Sequence, residues 1–202
     1  MQSVTNDTFG PLIAYLIPGA VALLGLSPFL PAVETWFAAT PDRAPTIGGF
    51  LYLTVASLAA GMVLNAVRWA VIDSLHARTG LPPPPRDFSR LGPNVEAMRL
   101  LIEIHYRHYQ HYANLVAAAA VAWAAHRTAV GWAAPAGPPD LAALALVPVL
   151  FAASRDTLRK YHERTAQLLG GPTASPPPVP SPAARRTPGA SRRGRRGRSG
   201  AG

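Results

Sequence analysis

From Phe9 to Leu30 the chain runs for 22 residues without one charged side chain, and from Ile47 to Val67 it does so again for 21. At 1.5 Å per residue a helix of either length covers the roughly 30 Å hydrocarbon core of a bilayer. Backbone groups in lipid must be satisfied within their own segment, so two such runs point to membrane-spanning helices. The expected fold is all-α: an integral membrane bundle of about four transmembrane helices, with a cytoplasmic amphipathic helix and a disordered basic carboxyl-terminal tail. A cleaved signal peptide fits the first run poorly. No Lys or Arg precedes it, and it exceeds the usual signal core of about 7–15 residues. Pro18-Gly19 in mid-span predicts a kink that neighbouring helices can tolerate.

Pro31 to Pro45 reads as a short connection carrying Glu34, Asp42 and Arg43, with Trp36 placed as an interfacial anchor. The second span ends in Arg68, Trp69 and Asp73, and Gly80 marks a helix stop. Residues 73–111 form the one large loop. Within it, Pro82 to Pro85 must be extended; a stiff spacer is the plain reading and a PxxP ligand the alternative.

A helical pattern returns from Asn94. Val95, Met98, Ile102, Tyr106 and Tyr109 form an apolar stripe, beside a ladder of Glu96, Arg99, Glu103 and Arg107 whose 99/103 and 103/107 pairs are spaced for ion pairing. This predicts an amphipathic helix on the inner membrane surface. It runs into an Ala-rich third span at 112–132, with His126 and Arg127 able to snorkel at its far end. The fourth span, 140–155, starts with Asp140 as helix cap. Only 14 residues separate Asp140 from Arg155, about 21 Å of helix. Crossing then requires Arg155 to snorkel or the bilayer to thin, and a re-entrant or interfacial segment is the rival.

Charge placement favours four crossings. Of 19 basic residues only Arg43 and Arg127 would lie outside, which the positive-inside rule demands. Both termini and the 73–111 loop are therefore expected in the cytoplasm. The Ala, Pro and Arg load suggests a GC-rich bacterial genome, hence a bacterial inner membrane. The absence of cysteine excludes disulfides, thiolate metal sites and cysteine nucleophiles.

From residue 170 onward the chain is Pro, Ser, Gly and Arg with almost nothing apolar, and it should be disordered. Arg192, Arg193, Arg195, Arg196 and Arg198 form an electrostatic tether for anionic lipid at the cytoplasmic face. Nucleic acid is an unlikely partner, because no aromatic stacking residue accompanies them.

Two further constellations stand out. Thr54, Ser57, Gly61, Asn65 and Arg68 share one face of the second span, and Glu103, Arg107 and Asn114 share a face of the third with small Ala residues. Such faces pack on other helices or mark a working polar cluster. Here the candidates are Asn65, Arg68, Glu103, Arg107 and Asn114, with Asn65 expected to pair with Asn114 and Arg68 with Glu103. His105, His108 and His111 recur every third residue, each followed by Tyr; a Tyr/His interfacial belt is the plain reading, and sensing pH or holding a metal the alternatives. A spacing of three drifts about 60° per step on an α-helix, so all three cannot face one ion.

No cofactor and no catalytic motif is read. The expected function is a non-catalytic scaffold or subunit of a larger membrane complex, self-associating or held by a membrane protein partner. The alternative is a small oligomeric channel or membrane-disrupting effector in a stress or defence system.

Overall fold

The computed structural model describes residues 4–37 and 47–170, with side chains from residue 13 onward. These residues are helical without a strand. Helix α1 spans Val4–Leu26 and a short α2 spans Pro31–Phe37. Helix α3, Ile47–Arg68, passes through a π-helical turn at Trp69–Asp73 into α4, Ser74–Arg78. Helix α5, Leu91–Leu101, passes through a second π-turn at Ile102–Tyr106 into α6, Arg107–Val130. Helix α7 is Pro138–Leu169. The tail arginines 192–198, the outer Arg43 and the expected tail disorder lie outside the described residues.

Two continuous helices are long and apolar enough to cross a membrane, Ile47–Arg78 and Pro138–Leu169, each of 32 residues. A third crossing is possible from the bent pair Ile13–Phe29 and Pro31–Phe37. Helix α6 does not meet that standard. Its Ala-rich sequence with His111, Asn114, His126 and Arg127 lowers its apolarity, and it sits instead at the centre of the packing, against α1, α3 and α7. Helix α3 packs mainly on α1, so that α1, α3 and α6 form a cluster, with α7 laid on another side of α6.

The join of α1 to α3 explains the small residues on both. A Cβ added to Gly19 would overlap the Ser57 carbonyl oxygen, and one added to Gly61 would overlap the Tyr15 carbonyl. Only glycine permits this approach, the membrane-helix use of small residues. Helix α1 runs unbroken through Pro18, which is fully buried. The sharp bend, 119°, falls instead between Phe29 and Pro31. There Pro31 supplies a preset first turn for α2, and Trp36 on α2 stacks on Tyr52 of α3 with ring centroids 6.2 Å apart.

Helix α7 removes the difficulty of the short fourth span. It begins at Pro138, with Asp140 as the third helical residue accepting the Gly137 N–H at 2.8 Å, and it continues through Arg155 to Leu169. Its 32 residues measure about 48 Å. Arg155 has no need to snorkel: it donates to the Thr79 hydroxyl and carbonyl, both at 2.7 Å, at the end of α4. That end is a Schellman stop. Gly80 has φ +92°, and the Leu81 and Gly80 N–H groups return to the His76 and Ala77 carbonyls.

Candidate functional site

Where α3, α6 and α7 approach a common end, a cavity of about 900 Å³ opens, roofed by the segment after Gly80. Both π-turns contribute to its wall, through Asp73 from one and Ile102 and Tyr106 from the other. π-Turns recur at functional sites, and here the first has a visible consequence. Residues five apart on an α-helix point about 140° from each other. The wider π-turn brings Asp73 round beneath Arg68. The buried Arg68 donates from Nη1 to Asp73 Oδ1 at 2.9 Å and to Oδ2 at 3.1 Å. Its Nε donates to Asn65 Oδ1 at 3.2 Å. Tyr109, 1% exposed, donates its hydroxyl to Asp73 Oδ1, and its ring lies under the Arg68 guanidinium at 5.2 Å.

The cluster therefore contains Asn65 and Arg68 as expected, but closes on Asp73 and Tyr109. Glu103 and Arg107 are half-buried, and neither enters an ion pair among the described residues. The π-turn at Ile102–Tyr106 breaks the i,i+4 register of the Glu96–Arg107 ladder. The pair that forms is Glu96–Arg99, at 3.4 Å. Asn114, fully buried, does not bond to Asn65; it donates to the Ala14 carbonyl of α1 at 3.2 Å. Both amides are thus spent on holding helices, one within α3 and one between α6 and α1.

The three histidines diverge, as their spacing requires. His108 is exposed, His111 faces the Ile13 backbone of α1, and His105 lies near Arg164 and Lys160 of α7. Burial, reinforced by those two cations, lowers the His105 pKa. Among the described residues no three His, Cys, Asp or Glu side chains are arranged to hold a metal ion.

The far wall of the cavity was not legible in advance. Tyr106 packs on Tyr161 of α7 at 5.1 Å, and the Arg86 guanidinium lies over the Tyr161 ring at 5.7 Å. His76 is fully buried, stacked on Phe151 at 4.7 Å and bonded through Nε2 to the Ser154 hydroxyl at 3.1 Å. The proline segment is no free spacer. The Asp87 N–H donates to the Leu169 carbonyl at 3.0 Å, and Arg90 Nη1 reaches the Gly170 carbonyl at 2.5 Å. The Ser89 hydroxyl and N–H bind the Asp87 carboxylate and hold it below the usual carboxylate range. The apolar stripe of α5 and the second π-turn is also used internally: Met98, Ile102 and Tyr106 pack against the core, while Val95 stays exposed.

A second polar cluster closes the other end of the α6–α7 pair. Arg127, expected to snorkel, is 7% exposed. It pairs with Asp140 at 3.3 Å and donates to the Trp132 and Ala134 carbonyls at 2.6 and 2.8 Å. Trp123 Nε1 donates to Asp140 at 2.9 Å.

No family model, no curated protein and no solved structure matches this chain.

Proposed function

We propose that the chain is a bacterial inner-membrane protein with four transmembrane helices and both termini in the cytoplasm, acting as a non-catalytic subunit or scaffold of a larger membrane complex. The observation that carries this reading is how little of its apolar helices the chain covers for itself. Within the apolar windows of the α3–α4 and α7 helices only 17% and 11% of residues are buried. Large side chains such as Phe50, Val55, Met62 and Val63 on α3, and Leu141, Leu144 and Val149 on α7, face outward. Lipid suits such faces, and so do the helices of another copy or of a partner.

The internal polar groups support the same reading. Arg68, Asp73 and Tyr109 satisfy one another and fix helix register, a documented use of buried charge. The stripe that would have lined a channel in an oligomer is turned inward: Ser57, Gly61 and Arg68 are all buried within the protomer. Thr54 and Asn65 of the same stripe are half-buried. The asymmetry of the basic residues supports the orientation.

The test is cysteine cross-linking in native membranes, with single cysteines at Leu144 and Val149. We expect a discrete cross-linked dimer or a defined hetero-adduct at native expression level. A protein that stays monomeric at both positions and migrates alone in native gels contradicts the scaffold reading.

A further inference from the structure

Arg86 carries a charge that nothing in its cavity balances. Asp73 is the one carboxylate among the lining residues, and Arg68 and Tyr109 already occupy it. Among the described residues Arg86 makes no ion pair, and its buried Nε has no hydrogen-bond partner. An orphaned donor of this kind is costly, because a buried polar group gives up its water without replacement. The Tyr161 ring takes the face of the guanidinium and leaves its edge, the fork that suits a phosphate. A second lining residue, His162, also has a buried ring nitrogen, Nδ1, without a hydrogen-bond partner among the described residues.

We propose that this cavity binds a phosphate ester: the phosphate on the edge of Arg86, with His162 Nδ1 as a second contact and the uncharged remainder of the ligand against the apolar wall. The volume of about 900 Å³ lies within the range of small-molecule sites. Leu81, Ile102 and Leu158 supply the apolar wall. Trp69 stands at the rim, 71% exposed, directly after the last residue of α3 and about 33 Å of helix beyond Ile47. That is the level at which tryptophan meets lipid head groups, so an anionic phospholipid and a soluble phosphate ester are the two sources of the same chemistry.

The test uses the full chain in an uncharged detergent, with an environment-sensitive fluorophore on a single cysteine at Ala77 of the cavity wall. Three probes are titrated: dihexanoylphosphatidylglycerol, glycerol phosphate and uncharged dihexanoylglycerol. Saturable responses to the first are expected, weakening as salt rises, with Kd raised at least tenfold in Arg86→Gln. If glycerol phosphate matches the lipid in affinity and in dependence on Arg86, the site stands and its source is a soluble ester. If only the lipid binds, the source is the membrane. Three results overturn the proposal: no saturable response to either phosphate compound, equal affinity for uncharged dihexanoylglycerol, or an unchanged Kd in Arg86→Gln of normal helicity. Should Arg86→Gln not fold, wild-type binding that ignores salt overturns it as well. The tail arginines, common to every variant, cannot produce an Arg86-dependent signal at Ala77.

Discussion

The molecule buries an arginine against an aspartate twice, near opposite ends of α6, and it does so in different ways. Tyr109, which closes the Arg68–Asp73 pair, and Arg127 itself lie about 27 Å apart along that helix. The first pair is formed within one continuous helical stretch, made possible by a π-turn, and Tyr109 of α6 joins it from outside. The second joins two helices across their connecting loop, and Arg127 also takes two loop carbonyls. The first arginine rests on one carboxylate, with the Asn65 amide oxygen as its other acceptor among the described residues. The second has its charge spread over three oxygens of the Asp140 and loop groups. Buried charge is held by a carboxylate and one neutral oxygen in the first region, and by a carboxylate and two neutral oxygens in the second.

That difference sets an order of expected effects. The largest is Asp73→Leu, which strands Arg68. Breaking a buried pair from one side costs about 3–5 kcal/mol, read as a fall in unfolding free energy in mixed micelles. The double variant Arg68→Met/Asp73→Leu should recover most of the loss. If the double is as unstable as the single, Arg68 is not the group that Asp73 neutralises. Next comes Arg127→Met, expected to cost about 2–3 kcal/mol from lost charge-assisted bonds. Its counterpart Asp140→Leu should cost less than Asp73→Leu, because two carbonyls still hold Arg127. Equal losses at Asp73 and Asp140 would break the distinction between the two ends.

Smaller still is Tyr109→Phe, about 1.5 kcal/mol for one hydrogen bond to a charged acceptor. Trp123→Phe, its equivalent at the other end, should fall below that because Trp123 is partly exposed. The smallest is Ser89→Ala on the proline segment. It should raise the Asp87 pKa back toward the ordinary carboxylate range, followed by carboxyl-carbon titration. Because the folded-state pKa is depressed, Asp87 supports the fold above its unfolded pKa and loses that support as pH falls through the lower folded value. In Ser89→Ala that support should be smaller and its loss complete at a higher pH. No change in the titration would mean that Ser89 does not hold the carboxylate.

How far these features could be read in advance follows from their sequence separation. The all-helical class, the Gly80 stop and the placing of Asn65 with Arg68 follow from apolar runs and i,i+3 spacing. So does the inward face of Ser57 and Gly61, since small residues on a membrane helix mark close approach. Asp73 was hidden because its distance from Arg68 is right only for a π-turn, which no local propensity announces. Glu103 was misassigned for the same reason, the second π-turn rotating it out of its ladder. Arg86 on Tyr161, His76 on Ser154 and Asn114 on Ala14 join residues separated by 75 positions or more. Tertiary packing alone creates them. The extent of α7 is hidden in the sequence because Arg155 has the charge of a membrane boundary, while the fold uses it as an internal partner for the end of α4.

The proposed topology puts the two ends on opposite sides of a membrane. Single cysteines at Ser89 and Gly137, in a chain that has no cysteine of its own, test that directly with an impermeant thiol reagent on intact cells. Gly137 should label from outside and Ser89 only after permeabilisation. Labelling of both from the same side would contradict the account, since the α6–α7 pair would then not reach across the bilayer.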